Sequence, residues 1–398
     1  MQLKFKSRVI ALFASLFCPF ALFAELAALP QPTLVIPAPP TLQAKSFILI
    51  DPLSNYVIAE QNVEQRVEPA SLTKMMTVYV VDHVLKSGKL KLTDTVKISE
   101  KAWKSPGSRM FVEVNTDVSV DDLLRGIIIA SGNDASVAIA EHIAGSESAF
   151  AELMNFYAKQ LGLANTHFVN STGLPDPNHY TSARDMAILS KALMRDFPES
   201  YTLYSEKTFL YQNIKQENRN RLLWTNNLVD GIKTGHTDSA GYCLVASGKK
   251  DNMRLIAVVM GTKNNSARID ETNKLLTYGF RFYESRKLYP ALTALKKGRV
   301  WHGREKEVDL GLAEDLYVTI GQGQYDNLKT TITVENLIKA PTNKGAALGT
   351  LTVQLDNKTI SECPVVALTD VEAGGFINRL YDNVTLSVLS LVEKVKPK

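Results

Sequence analysis

The period of the hydrophobic positions changes several times along this chain, and each change marks an element. Residues 46–50 and 56–60 are two apolar, partly β-branched runs around Asp51-Pro52-Leu53-Ser54-Asn55, which is a hairpin pattern. From Ser71 to Lys86 apolar residues lie nearly all round a helix (Met75, Met76, Val78, Tyr79, Val80, Val81, Val84, Leu85), so this helix belongs inside a domain. Pro69 precedes it and Gly88 follows as a stop. Helical patterns recur over 120–143, 148–161 and 182–194, and the Pro-, Gly-, Asn- and Asp-rich stretch 170–180 reads as a loop. Three strand-like runs follow at 231–236, 242–247 and 254–261, and then a helix over 266–286. Strands at both ends with helices between them predict an α+β domain over 45–286, with helices packed on one antiparallel sheet closed by its terminal segments.

Beyond residue 287 the runs shorten and alternate (316–320, 328–334, 349–355, 365–368), broken by Gly, Asn, Asp and Pro. This predicts a small all-β domain over 287–373, a sandwich or barrel. In the last segment, 374–398, Phe376, Leu380, Val384, Val388 and Val392 recur every four residues after a Gly-Gly break, with Ile377, Tyr381 and Leu391 flanking the same face. That is an amphipathic helix. At the other end Lys4, Lys6 and Arg8 precede an uncharged apolar run from Val9 to Ala24, which reads as a secretory signal over 1–24. Residues 25–44, with five prolines between Pro30 and Pro40, read as a linker.

Composition narrows the class without naming a chemistry. Of 398 residues, 45% are hydrophobic and 22% charged, as in an ordinary globular protein. Three of the cations behind the formal net charge of +4 sit in the signal segment, so there is no electrostatic case for nucleic acid. Past Cys18 only Cys243 and Cys363 remain. A disulfide is open to an exported protein, but two buried thiols are the reading here. No His/Cys/Asp cluster has metal-ligand spacing, so no metal or other cofactor is expected.

The chemistry lies in three short strings in a fixed order: Ser71-Leu72-Thr73-Lys74, Ser131-Gly132-Asn133 and Lys233-Thr234-Gly235, spaced by 60 and 102 residues. Ser71 and Lys74 share one helical face, so the lysine amine can stand beside the hydroxyl. Burial in an apolar helix, with Lys233 nearby, would lower the Lys74 pKa and make it a base. A capping serine with a snorkelling lysine would explain this pair alone, but not the ordered triple. A second Ser-x-x-Lys string, Ser247 to Lys250, has no such companions. Ser131-Gly132-Asn133 interrupts a helical pattern and reads as a loop between helices, with Ser131 in proton relay and Asn133 bonded to a substrate amide. Strand alternation puts Lys233 and Gly235 on one face and Thr234 on the other. Gly235 is expected to let substrate backbone approach, and an edge strand there would accept a peptide as an added strand.

These strings, with their surroundings, resemble the D-alanyl-D-alanine carboxypeptidases, the low-molecular-mass penicillin-binding proteins of the type-5/type-6 group (peptidase family S11). The resemblance is carried by Ala70 to Thr77, Leu124 to Ala135, Ser182 to Ala187 and Asp230 to Thr237, and it spans about residues 40–390. It implies a penicillin-binding/β-lactamase-like transpeptidase domain in which Ser71 attacks the carbonyl between two D-alanines of a peptidoglycan stem peptide. Lys74 would take the proton, and Ser131 and Lys233 would complete the proton network. Asn133 would orient substrate, the backbone amides of Ser71 and His236 would hold the oxyanion, and Thr234 and Arg268 would bind the terminal carboxylate. β-Lactam antibiotics would acylate Ser71. The last helix would be a peripheral anchor on the periplasmic face of the cytoplasmic membrane. Members of the group can carry a histidine where this chain has Thr172. His167 and His179 nearby read as surface or core residues. The alternatives are a class-A-like β-lactamase, a DD-endopeptidase and an inactive cell-wall or penicillin-binding protein. The first would need a glutamate near Ala164-Asn165-Thr166-His167, where none stands.

Overall fold

The computed structural model describes residues 35–395, with side-chain surroundings as far as Val388; the expected signal segment 1–24 lies outside the described residues. Five strands form the central sheet: β1 (Ser46–Ile50), β2 (Val57–Gln61), β3 (Val229–Thr237), β4 (Gly241–Lys250) and β5 (Met253–Thr262). Their order is β2-β1-β5-β4-β3, antiparallel throughout. The N-terminal hairpin docks on the C-terminal strand, with Phe47 opposite Val259 and Leu49 opposite Ala257. Side chains alternate between two cores. Ile48, Val245 and Val258 face one, shared with helix α1 (Lys74–Lys86). Phe47, Leu49, Leu244 and Val259 face the other, under helix α5 (Asn265–Phe282), which supplies Leu275 and Leu276. Fully burying each such side chain is worth ~1.5–3 kcal/mol, so α1 is clamped on all sides despite its β-branched run.

Three more helices surround α1: α2 (Asn133–Ala144), α3 (Glu147–Gln160) and α4 (Ala183–Asp196). Ser146, Ser182 and Asn264 cap α3, α4 and α5, each side-chain oxygen accepting a backbone N–H three residues on. Three details differ from the sequence reading. The helix expected from Ser71 opens as a 3-10 turn over Ala70–Thr73, and α1 proper begins at Lys74. The pattern over 120–143 breaks into a helix ending at Arg125, a π turn over Gly126–Ala130, and α2. The helix expected to reach Arg286 stops at Phe282, because Tyr283 turns extended (φ −125°, ψ 156°) and Tyr283–Tyr289 becomes a strand paired with Leu316–Gly321.

That strand pair and a six-stranded sheet share one core, in which Leu316 and Val318 meet Leu310, Leu351 and Val365, giving a two-layered all-β domain. The described part of the proline-rich stretch is packed rather than free: Leu42 is buried and the Tyr278 hydroxyl donates to the Pro37 carbonyl (2.8 Å). Cys243 and Cys363 are free thiols; Cys243 is buried, but Cys363 is only partly so, since its strand faces solvent on one side. The last helix, α6 (Phe376–Val395), exposes Phe376, Ile377, Leu380, Tyr381, Val384 and Val388. It turns Asp382 inward, where the carboxylate accepts from the His302 N–H (2.6 Å) and the Lys306 amine (3.0 Å).

One buried carboxylate joins the two domains. Asp51, in the β1–β2 turn, is 0% exposed. It accepts the Leu53 N–H (2.8 Å), the Thr319 hydroxyl (2.8 Å) and the Ser285 hydroxyl, the last two from the β domain. Asp51→Ala takes the carboxylate acceptor from the buried Ser285 and Thr319 hydroxyls and leaves them only each other and Ser54, so stability should fall by ~1–3 kcal/mol, read as a lower denaturant midpoint. An unchanged midpoint would show that the latch contributes nothing.

Candidate active site

The 3-10 turn before α1 decides the geometry at the nucleophile. Side chains at i and i+3 eclipse in such a turn, and the Lys74 amine stands 3.1 Å from the Ser71 hydroxyl oxygen. Lys74 is 0% exposed. Its amine also reaches the Asn133 side-chain carbonyl (2.6 Å) and the Thr172 backbone carbonyl (2.6 Å). Burial is the main cause that lowers its pKa to about 7, with the Arg219 charge adding, while Asp134 and Glu147 push it back up. A neutral amine has two N–H groups and one lone pair. The two carbonyls take the N–H groups, and the lone pair is left to face Ser71.

A second amine lies across the cavity. Lys233, on edge strand β3, is buried and reaches the Ser131 hydroxyl (2.9 Å). Burial, then the charges of Lys74, Arg219 and Arg268, hold its pKa well below the ordinary lysine value. Ser131 ends the π turn in the left-handed region (φ 60°, ψ 36°), a strained setting for a residue with a Cβ. Both serines face a cavity of about 350 Å³ whose walls include Asn133, Thr234, Gly235, His236 and Arg268. Thr234 therefore reaches the cavity as well, although strict alternation assigns it to the other face; the four-carbon stem of Lys233 still carries its amine to Ser131.

Arg268, at the start of α5, donates to the carbonyls of Gly235 (3.0 Å) and Cys243 (3.4 Å) and to the Asn265 side chain (2.6 Å), and lies over the Tyr242 ring. Burial lowers its pKa to about 10, which still leaves it charged near neutral pH. A second guanidinium, Arg219, lines the same cavity and donates to the Ala130 carbonyl (3.2 Å). Sequence reasoning missed it, because Asn218-Arg219-Asn220 matches no motif. Its buried neighbour Asn220 ties the segment to β3 by donating to the Gly231 carbonyl (2.9 Å).

Two expected roles gain a second part. The Asn133 side-chain carbonyl accepts from Lys74 and one of its two amide N–H groups donates to the Pro106 carbonyl (2.5 Å), so it orients the lysine, while neither bond uses its second N–H at the cavity wall. Gly235 makes room for the catalytic turn: a Cβ there would lie 2.8 Å from the Pro69 carbonyl oxygen and 3.3 Å from the Ala70 Cβ. Gly173 allows a closer approach still, since a Cβ would fall 1.8 Å from the Ala70 carbonyl oxygen, and its φ of +86° already favours glycine. The place where the resemblance allowed a histidine is served here by backbone. Thr172 offers its carbonyl to Lys74, and its hydroxyl is spent on Asn170 and on the Leu174 N–H. The second Ser-x-x-Lys string lies along β4, where residues three apart point to opposite faces.

A buried serine–lysine pair, a second amine on a second serine, and two guanidiniums in one cavity suit acyl transfer from a substrate that ends in a carboxylate. Comparison with known proteins agrees. The family profile for D-alanyl-D-alanine carboxypeptidase (peptidase S11) matches residues 33–264, and that for the C-terminal domain of penicillin-binding protein 5 matches residues 283–373. D-alanyl-D-alanine carboxypeptidase DacC of Escherichia coli (strain K12) is 48% identical over 356 residues, 87% of this chain and 89% of that protein. The crystal structure of penicillin-binding protein 5 from Haemophilus influenzae superposes with a TM-score of 0.82 at 46% identity, covering 84% of this chain and 99% of that one. Penicillin-binding protein D2 from Listeria monocytogenes, solved in its ampicillin-bound form, superposes with a TM-score of 0.56 at 27% identity, over 61% of this chain and 100% of that one. This chain belongs to the D-alanyl-D-alanine carboxypeptidases of peptidase family S11.

Proposed function

We propose that this enzyme removes the terminal D-alanine from peptidoglycan pentapeptide stems through an acyl-enzyme on Ser71, and that β-lactams acylate the same oxygen. The observation that carries this reading is the Lys74 amine, buried without a paired carboxylate and 3.1 Å from Ser71. In the acylation step Lys74 accepts the hydroxyl proton while Ser71 Oγ bonds to the carbonyl carbon of the penultimate D-alanine. Backbone N–H groups of Ser71 and His236 hold the oxyanion. Collapse breaks the C–N bond and expels D-alanine, whose amine takes the proton that Lys74 received, passed on through the Ser131–Lys233 pair, so that Lys74 is neutral again. Water then attacks the ester, giving a proton to Lys74; the C–O bond breaks and Lys74 returns that proton to Ser71 Oγ. Thr234, Arg268 and Arg219 face the terminal carboxylate. Strand β3 ends the sheet order, which suits a peptide lying alongside as a further strand. Among the described residues no carboxylate lines the cavity, which favours the peptidase over a β-lactamase with a glutamate-activated water.

The setting of the enzyme belongs to the same proposal. A secretory leader and an amphipathic tail suit a protein exported to the periplasmic face of the cytoplasmic membrane. Helix α6 would lie in the interface with Phe376, Ile377, Leu380, Tyr381, Val384 and Val388 in lipid. Among the described residues no helix is long and apolar enough to cross a membrane.

Mixing with benzylpenicillin should add one penicilloyl mass to wild type and none to Ser71→Ala, and wild type should release D-alanine from a pentapeptide ending in D-Ala-D-Ala. An adduct that clears within seconds would move the reading to β-lactamase, and no adduct would mean an inactive site. Because the neutral form of Lys74 is the base, acylation should fall as pH drops below about 7, by about tenfold per unit well below that point. A rate flat down to pH 5 would remove Lys74 from that role. Vesicle flotation of full-length chain and of a chain lacking 376–398 should separate the two; equal flotation would end the anchor reading.

A further inference from the structure

His179 lies beneath the catalytic turn, 2% exposed, in the loop that faces α1. Its Nδ1 accepts the Val169 N–H (3.1 Å). A neutral imidazole that accepts at Nδ1 carries its proton on Nε2, and Nε2 is 2.7 Å from the hydroxyl of Thr73, the residue just before Lys74. His179 therefore donates to Thr73 from one side of the ring and holds residue 169 from the other. The Phe168 ring meets it edge-on (5.7 Å between centroids). Burial lowers the His179 pKa to about 4, so the ring keeps one tautomer across the range in which the enzyme would work.

The segment held in this way has a task. Residues 169–174 carry the Ser171 carbonyl, which accepts from the Thr77 hydroxyl (2.7 Å), and the Thr172 carbonyl, which accepts from Lys74 (2.6 Å). The Thr172 carbonyl is one of two acceptors that leave the Lys74 lone pair facing Ser71. We infer that His179 is a positioning residue for the acyl-transfer reaction: it pins the 169–174 loop to Thr73 and so aims the Lys74 amine. This rests on Lys74 being the base for Ser71. Besides Thr77 and Lys74, the same loop is held by Glu147, which accepts from the Ser171 N–H and hydroxyl, and by Asn155, which bonds the backbone of Phe168 just before it. They bound the segment at its middle and at its start. Gly173 packs against Ala70, and His179 adds a side-chain hydrogen bond from the start of the loop to the turn that carries the nucleophile.

The charged groups facing this arrangement are few. Asp176, His167, Lys74 and Glu147 act on His179, and Arg219, Asp134 and Glu147 act on Lys74, with Lys233 across the cavity. None replaces the neutral hydrogen bond from His179 to Thr73. Freeing the loop should misplace the Thr172 carbonyl and admit water to the amine, relieving the burial that lowers its pKa.

The test is acylation of the full chain by benzylpenicillin, with the limiting rate constant separated from the half-saturating concentration and followed against pH. His179→Ala should lower the limiting rate constant roughly 10- to 100-fold, leave the half-saturating concentration in place, and move the acid limb upward from its wild-type midpoint. Thr73→Val should reproduce this from the other end of the bond, and the double substitution should cost no more than the larger single one. His179→Gln, whose amide can accept from Val169 and donate to Thr73, should recover most of the rate. If His179→Ala lowers only the melting temperature, with rate and acid limb unchanged, Glu147 and Asn155 suffice and the inference is overturned. Should the alanine variant fail to fold, an unaltered rate and limb in Thr73→Val would overturn it equally. Wild type that forms no adduct would remove the reading beneath it instead.

Discussion

The site depends on keeping one lysine out of water without giving it a counter-ion. An ammonium beside a carboxylate keeps its proton, because the pair favours the charged form. Lys74 is buried among carbonyls instead. Asp134, whose charge acts on Lys74, spends both oxygens on the backbone N–H groups of Met110, Phe111, Val112 and Ala135. Glu147 is held by Ser171 and Lys101. The carboxylates near the site thus shape its loops and leave the amine unpaired. Much else follows from that requirement. A helix apolar on all sides is needed to bury the lysine, and the sheet and three helices are needed to bury the helix. Carbonyls that turn inward must then satisfy the amine at its own depth.

Most of this frame was legible along the chain, since it rests on periodicity and residue type. The two-core sheet shows in alternating runs, the catalytic helix in its unbroken apolar surface, and the reacting side chains in three spaced strings. What was illegible is carried by backbone or by shape. The Thr172 carbonyl has no residue signature, because every residue offers one; the side chain at that position is occupied elsewhere. Arg219 lies in a polar run with no pattern and reaches the cavity only because Asn220 fixes the segment to β3. Gly235 was read from the substrate's side, whereas the space it opens is filled by Pro69 and Ala70. His179 reads as a core histidine from sequence, and it is one; its consequence comes from the residue it touches. The missed strand Tyr283–Tyr289 is a case of tertiary override. Its residues continue a helical pattern, but Ser285 is drawn into the buried cluster around Asp51 and Thr319.

The β domain and tail are organised by the same rule that buried polar groups must be bonded. Asp51 gathers donors from both domains, which fixes how the second domain departs from the catalytic sheet. Asp382 gathers the His302 N–H and the Lys306 amine, which sets the rotation of α6 about its own axis. With that carboxylate turned inward, the apolar stripe of Phe376, Leu380, Val384 and Val388 is turned to solvent. Each acidic side chain gathers its donors in a confined place beside a few further bonds (Ser54 to Thr319 at the domain junction, the Gly374 N–H to the His302 carbonyl before α6), so the orientation is sensitive to it.

Backbone strain at the site follows from the need for close approach. Ala70 and Ser131 both have positive φ (48° and 60°), one immediately before the nucleophile and the other on the relay serine. Such residues cost of order 1–3 kcal/mol each. They persist because the surroundings over-determine them. Ala70 is held between the loop at Gly173 and the strand at Gly235, both of which lack the Cβ that would push it away. Ser131 closes a π turn in which the Gly126 carbonyl accepts the Ser131 and Gly132 N–H groups. The helical run 120–143 is broken there for a geometric reason. A continuous α-helix would place residue 131 on its cylinder, whereas the π turn and left-handed residue bring the Ser131 hydroxyl to the Lys233 amine. Strain on both walls therefore brings two hydroxyls, each backed by a buried amine, to one small cavity, and the fully packed core around α1 offsets its cost.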